Sequence, residues 1–286
     1  MTNAIEIKGL TKEYKGFKLN NVSFSLPKGC IMGMIGENGA GKTTTIKLIL
    51  NLIKRDSGNI HIYGMDNIKD EIEIKKRMGV VLDDSSFHDT LNIKDISKIM
   101  RFIYKTWDEK LFIKYLDRLK IPNDKTIKEL SKGMKTKLSI AVALSHNPDI
   151  LILDEPTSGL DPVVRNEILD LFMDFIQNEE KSVLLSTHIT SDLEKIADYI
   201  TFIQNGEVVL SKSKDEILNN YGIIKCRDNE FSRIEKQDLV TYRKNKFETE
   251  VLIKDKALAK RKYAGMIIDN ITLEELMLFH IRGEVV

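Results

Sequence analysis

Two short stretches carry residue types able to handle a nucleotide. The first is "GENGAGKT", Gly36 to Thr43, which fits the phosphate-binding pattern GxxxxGK[ST]. It follows the apolar run "GCIMGMIG" and leads into "TTTIKLILNLI". A buried strand, a glycine loop and a helix therefore stand in the order such a loop requires. Gly36, Gly39 and Gly41 let backbone N–H groups from about Asn38 through Ala40 to Thr44 wrap phosphates. The helix start adds its partial positive charge. Lys42 is expected to reach the β- and γ-phosphates, and the Thr43 hydroxyl to ligate Mg2+. A glycine-rich turn with a chance lysine is the plainer alternative. The flanking strand and helix weigh against it.

The second stretch is "DILILDEPTSGLD". Asp154 ends an apolar strand, where it can hold Mg2+ through the water shell. Glu155 follows at once and can polarise an attacking water as general base. Two carboxylates at a strand end could instead cap the next helix, but a phosphate loop without a magnesium-side carboxylate would be incomplete. His188 follows the strand "SVLLST", which is expected to lie beside the one ending at Asp154. A lone histidine after a strand is usually structural; here it is placed to approach the γ-phosphate.

A third stretch, "KELSKGMKTKLS", has Ser131 at the start of a helix with inward spacing at Met134, Leu138, Val142 and Ser145. Ser131 suits an N-cap, and Gly133 lets backbone come close to an anion. One chain already has its phosphate loop at Gly36. A second anion site suggests that ATP is sandwiched between two chains.

These groups need a scaffold. "AIEIKGL", "LNNVSFSL" and "NIHIYG" alternate apolar and polar residues, as half-buried antiparallel strands do. From about Asn92 to His146 several amphipathic helices are expected, interrupted at Pro122. "DILILD" and "SVLLST" are fully apolar strands of the parallel-sheet kind. "DPVVRNEILDLFMDFI" starts with Asp at the N-cap and Pro at the first helical position. "SDLEKIAD" predicts a capping box between Ser191 and Glu194. "YITFIQNGEVVL" predicts a hairpin turning at Asn205-Gly206. After about Tyr221 the texture becomes strand-like, charged and locally basic, ending in the short helix "TLEELMLFHIRG". Strands alternating with helices indicate an α/β fold with a parallel sheet.

The 286 residues are 42% hydrophobic, enough for a sizeable core. The net charge is only +1, which weighs against nucleic acid as the main partner. Cys30 and Cys226 stand far apart, which suggests neither a disulfide framework nor a zinc site and fits a reducing cytosol. The N-terminus does not read as a signal peptide, and no run is long and apolar enough to span a membrane. Work at a membrane would need another chain to hold this one there.

From Ile5 to Leu218, with motifs in the same order, the sequence resembles the ATP-binding cassette (ABC) ATPases. "LSKGM" stands where that family has LSGGQ. The resemblance implies ATP and Mg2+ as ligands and a head-to-tail dimer, homomeric or with a second ABC ATPase. Ser131 and Gly133 of one protomer would bind the γ-phosphate held by Lys42 of the other. Asp161 of "SGLD" resembles the loop crossing that interface, a role compatible with capping a helix. Tyr14 of "TKEYKGF" matches the aromatic that stacks on adenine, although an isolated aromatic is more often core. Two departures stand out. Lys132 and Met134 replace a glycine and the glutamine of the signature. In "RMGVVLDDSS" an aspartate, Asp83 with Asp84 as the rival register, stands where the family has a glutamine that touches Mg2+.

The implied fold is α/β: a P-loop ABC nucleotide-binding domain with an antiparallel β subdomain, an inserted helical subdomain and a small C-terminal α+β appendage. The expected boundaries are 1–220 for the ATP-binding domain, with the helical subdomain at about 84–146, and 221–286 for the appendage. The C-terminal segment also resembles the tails of bacterial ABC exporters whose ATPase and permease are separate chains. Those export antimicrobial or toxin peptides or confer resistance to them. The implied partner is an integral membrane permease, and the implied location the cytoplasmic side of the cell membrane. The basic stretch from Lys225 to Lys262 reads as a solvated face, with anionic lipid contact as the alternative.

Two rival readings exist: a soluble ABC ATPase acting in translation or DNA maintenance, and a nucleotide-binding module that dimerises without turnover. A soluble ABC ATPase of translation generally carries two cassettes, and this chain has one phosphate loop. The DNA-repair type inserts a long coiled coil, and no sustained heptads lie between Thr45 and Ser131. A non-hydrolysing dimerisation module is opposed by Glu155 and His188, while Lys132 and Asp83 leave it some room.

Overall fold

Alternating residues build the first layer. In the computed structural model, which describes residues 2–82, 87–245 and 247–284, β1 (Asn3–Tyr14) and β2 (Phe17–Pro27) pair antiparallel. The fully buried β3 (Ile31–Ile35) leaves for a second sheet and runs into α1 (Lys42–Ile49). β4 (Ser57–Ile62) and β5 (Met65–Asp66) return to the first, whose order is β2-β1-β4-β5. The helix α1 covers only the first part of the run "TTTIKLILNLI". It stops because Asn51 takes a left-handed conformation, φ 54°, that unwinds the next turn.

After α2 (Glu71–Lys76) and β6 (Met78–Val81) come the expected helices: α3 (Ile93–Ile103), α4 (Glu109–Arg118) and α5 (Lys132–Leu144), with a single 3-10 turn at Ile127–Glu129. Asn92, Asp108 and Ser131 cap α3, α4 and α5. The chain continues through β7 (Ile150–Asp154), α6 (Pro162–Phe175), β8 (Ser182–Ser186), α7 (Thr190–Ile196), β9 (Tyr199–Gln204) and β10 (Glu207–Ser213).

The second sheet has the order β10-β9-β3-β8-β7-β6. All its neighbouring pairs are parallel except the β9–β10 hairpin. Both faces are covered, which explains the unbroken apolar runs. Met32, Met34, Ile150, Ile152 and Leu184 pack on the antiparallel layer, whereas Ile31, Ile35, Leu151, Leu153 and Leu185 pack on helices. The hairpin turns at Asn205 (φ 49°) and Gly206 (φ 80°), as its sequence predicted. A Cβ on Gly206 would fall 1.9 Å from the Lys18 carbonyl, so the turn is wedged against β2. The capping box expected from Ser191 and Glu194 does not form. Thr187 Oγ1 takes the Ile189 N–H, so α7 begins at Thr190, and the Glu194 carboxylate accepts from the Leu273 N–H instead.

The remainder comprises α8 (Lys214–Asn220), β11 (Gly222–Cys226), α9 (Asp228–Phe231), β12 (Leu239–Lys244), β13 (Thr249–Ile253), α10 (Lys256–Lys262), β14 (Ile267–Asn270) and α11 (Leu273–Arg282). Its antiparallel sheet, β12-β13-β11-β14, has a small core of its own on one face around Ile224, Val251 and Tyr263. On the other side Leu273, Leu276 and Phe279 of α11 join the main core. Among the described residues no helix is long and apolar enough to cross a membrane.

Candidate active site

Parallel strands deliver their C-terminal ends to one edge of a sheet, where open α/β sheets bind ligands. Here β8 lies between β3 and β7, so the phosphate loop, Asp154-Glu155 and His188 all emerge at that edge. The loop from Gly36 to Gly41 passes from β3 to α1, with Gly41 at the N-cap. A Cβ on Gly36 would meet the Ile203 carbonyl at 2.3 Å. The loop is further held by the Gly206 N–H, which donates to the Ala40 carbonyl at 3.0 Å. Asn38 and Gly39 are exposed, Thr43 is exposed and Thr44 half-buried, while Thr45 bonds back to the Gly41 carbonyl.

Lys42 is 5% exposed. Its Nζ donates to the carbonyls of Gly36 (2.8 Å) and Glu37 (3.2 Å) and lies 3.5 Å from Glu155 Oε1. A buried ammonium is thus aimed across the loop at a carboxylate that has no other partner on that oxygen among the described residues. The other oxygen, Oε2, meets His188 Nδ1 at 2.8 Å and is 3.4 Å from the His188 N–H. Glu155 adopts φ 51°, a left-handed conformation costly for a residue with a Cβ. Its N–H is held by the backbone and side-chain oxygens of Ser186, at 3.1 and 3.2 Å.

Asp154 is buried and accepts a hydrogen bond from the Ser186 hydroxyl. Register explains the contact, since Asp154 and Ser186 are paired across β7 and β8. Sequence reasoning missed Ser186; a serine ending an apolar strand carries no signal until that pairing is known. Among the described residues no group of three His, Cys, Asp or Glu could hold a metal by itself. A Mg2+ here would complete its shell with water and phosphate oxygens, as this small ion usually does. Thr43 and Asp154 offer oxygens of the right kind, and Asp83 lies outside the described residues.

The other candidates stand apart from this cluster. Ser131 caps α5 by accepting the Met134 N–H at 3.2 Å. Asp161 caps α6 by accepting from Val163 and Val164, both at 3.1 Å. Gly133 abuts Leu160, and Lys132 Nζ lies beside Gly159, so the "SKGM" and "SGLD" stretches are neighbours within one chain. Among the described residues no hydrogen bond or ion pair joins Ser131 or Asp161 to Lys42. Tyr14 is 43% exposed rather than core. It ends β1 opposite Phe17, whose ring would lie 3.2 Å from a Cβ on Gly41.

The description "ABC transporter" belongs to the family model that matches residues 19–158. The chain is 33% identical over 218 residues to the ABC transporter ATP-binding protein YtrB of Bacillus subtilis (strain 168), covering 76% of this chain and 74% of that one. It is 33% identical over 225 residues to the lantibiotic transport ATP-binding protein SrtF of Streptococcus pyogenes, covering 76% and 96%. A third relative, the bacitracin transport ATP-binding protein BcrA of Bacillus licheniformis, is 34% identical over 212 residues, covering 73% and 69%. Among solved structures, the ATP-binding subunit of an ABC transporter superposes with TM-score 0.69 at 27% identity, covering 75% of this chain and 91% of that one. A dimeric ATP-binding cassette with ADP and phosphate shares the fold, with TM-score 0.66 at 24% identity, covering 73% and 98%.

Proposed function

The chain belongs to the ABC transporter family of ATP-binding ATPases, and from that premise we propose that it drives a separate membrane permease for export of antimicrobial or toxin peptides. The observation that carries the catalytic half is the convergence of Lys42, Glu155 and His188 at one sheet edge. ATP phosphates take the place of the Gly36 and Glu37 carbonyls on Lys42, which leaves Glu155 free to polarise water. His188 orients the Glu155 carboxylate and faces the γ-phosphate. Thr43 and Asp154 would hold Mg2+, which would supply screening of the phosphate charge. Tyr14 stacks on adenine. Ser131 and Gly133 of a second protomer close over the γ-phosphate, with Asp161 at the same interface. ATP binding closes the dimer and hydrolysis reopens it.

The cargo class comes from relatives whose names specify lantibiotic and bacitracin transport. The permease holds the chain at the cytoplasmic face of the membrane. ATP turnover is expected to vanish in Glu155→Gln while ATP-dependent dimerisation persists. Wild-type dimers that never turn over ATP, even with the native membrane partner, would refute the enzymatic role. Gentle fractionation tests the other half: the chain should pellet with membranes and bring down a multi-span protein. A chain recovered only with ribosomes or DNA would remove the transport role.

A further inference from the structure

The segment from Ser186 to Asp192 grips the segment from Asp154 to Thr157 at three points. Ser186 holds Asp154 and the Glu155 N–H. His188 faces the Glu155 carboxylate. Beyond these, the Thr157 hydroxyl donates to Asp192 Oδ2 at 2.7 Å. Thr157 is fully buried and Asp192 is 3% exposed. Asp192 Oδ1 lies 4.0 Å from Arg165 Nε, which is buried and has no hydrogen-bond partner among the described residues. Among the described residues the carboxylate therefore has one short bond from Thr157 and one distant cation from α6.

Such a group is costly. A carboxylate withdrawn from water loses several kcal/mol of hydration, and a matched apolar pair is often as stable. Its position gives it a use. Glu155 sits in a strained left-handed conformation that must be held from both sides. Ser186 fixes it from the N-terminal side. On the C-terminal side the first side-chain anchor is Thr157, and Asp192 is what Thr157 bonds to. Without that bond the loop after Glu155 can relax, and the carboxylate drifts from Lys42 and His188.

We propose that Asp192 is a positioning residue for ATP hydrolysis, acting through Thr157 to hold Glu155 at its place between Lys42 and His188. The proposal rests on the reading of Glu155 as general base. Its test is steady-state ATP turnover by the full chain carrying Thr157→Val, Thr157→Ser, Asp192→Leu or Asp192→Asn. Thr157→Val should lower kcat roughly tenfold to a hundredfold, the scale on which about 1 Å of misplacement acts. The KM for ATP should stay within about twofold, because the phosphate loop is untouched. Thr157→Ser, which keeps the hydroxyl, should return kcat to within about twofold of wild type. Asp192→Leu, which removes the acceptor, should lower kcat without changing KM, and combining it with Thr157→Val should add little, as expected for two ends of one contact. Asp192→Asn keeps an amide oxygen able to accept the Thr157 hydroxyl, so it should stay closer to wild type than Asp192→Leu. Should Thr157→Val fail to fold, Asp192→Leu carries the same test. Unchanged kcat in both Thr157→Val and Asp192→Leu, a loss through KM alone, or a Thr157→Ser protein as slow as Thr157→Val would overturn the proposal while Glu155→Gln remains inactive. Turnover that survives Glu155→Gln would overturn the general-base reading and this proposal with it.

Discussion

Lys42, the first residue of α1, has its Nζ 3.5 Å from Oε1 of Glu155, which directly follows β7; both side chains are nearly buried. Lys42 thereby faces the one oxygen of the Glu155 carboxylate that His188 does not reach, and among the described residues that oxygen has no hydrogen-bond partner. Lys42→Ala should therefore do two separable things. It should weaken ATP binding at least about tenfold, since a charge-assisted contact to phosphate is lost. It should also destabilise the nucleotide-free protein by about 1–3 kcal/mol, the cost of a buried group left without its partner. Adding Glu155→Gln should recover most of the stability and none of the affinity. Thermal melts and nucleotide titrations of the two single variants and the double variant separate the effects. Additive stabilities would show that the pair does not interact.

Gly36 and Gly39 share one loop and differ in what surrounds them. A methyl on Gly36 would collide with the Ile203 carbonyl at 2.3 Å, whereas one on Gly39 meets nothing within 4 Å. Gly39 does need its left-handed φ of 84°, which costs a residue with a Cβ about 1–2 kcal/mol. Gly36→Ala is expected to abolish nucleotide binding by shifting the loop off β9. Gly39→Ala should keep measurable binding, weakened no more than about thirtyfold, the equivalent of that strain. Isothermal titration with ATP distinguishes them. Equal losses would mean that the crowding at Gly36 does not control the loop.

The parts of this site that could be read from sequence are those fixed by neighbours in the chain. The Gly36–Thr43 loop is a local object: an apolar strand, three glycines and a helix start. Asp161 and Ser131 were legible for the same reason, because a cap acts on N–H groups two or three residues away. Ser186 was not legible. It touches Asp154 only through strands that pair across 32 positions. Asp192 was hidden likewise, since Thr157 precedes it by 35 residues. The Ser191–Glu194 box shows the opposite error, a valid local signal overridden by a competing turn at Thr187 and by a tertiary bond to Leu273. The overall α/β order survived because the apolar runs of β3, β7 and β8 are buried on both faces and admit few other arrangements.

The C-terminal sheet reads in sequence as an appendage after residue 220, but α11 ties it down. Leu273, Leu276 and Phe279 are fully buried in the main core, the Leu273 N–H bonds to Glu194, and Gln204 Nε2 donates to the His280 carbonyl at 3.0 Å. A chain ending at Asn220 loses that cover. Exposing the surface those three side chains bury should cost on the order of 5 kcal/mol, at about 1.5–3 kcal/mol for each. The melting temperature should then fall by roughly 10 °C or more, at about 2–4 °C per kcal/mol for chains near this size. Unchanged melting on truncation would show that the sheet is only a passenger.

Two histidines, His146 buried and His280 half-buried, lower stability in acid. His146 stacks on Tyr104 with ring centroids 4.0 Å apart and bonds to the Met78 carbonyl through Nε2. His280 packs against Phe202, and its Nε2 has no partner among the described residues. Burial holds both below the usual histidine pKa of 6.5; at His146 the Met78 and Val142 backbone contacts oppose that shift and the Lys181 charge adds to it. Below about pH 6.5 the unfolded chain therefore takes up protons that the folded chain resists. Stability is full above that pH and falls as the pH drops toward the lowered folded values. Each histidine contributes at most one proton to the slope. His280→Phe keeps an aromatic ring in the site and removes one of the two, so the loss of melting temperature between pH 7 and pH 5.5 should be smaller than in wild type. Parallel melting curves for the two proteins across that range would contradict the assignment.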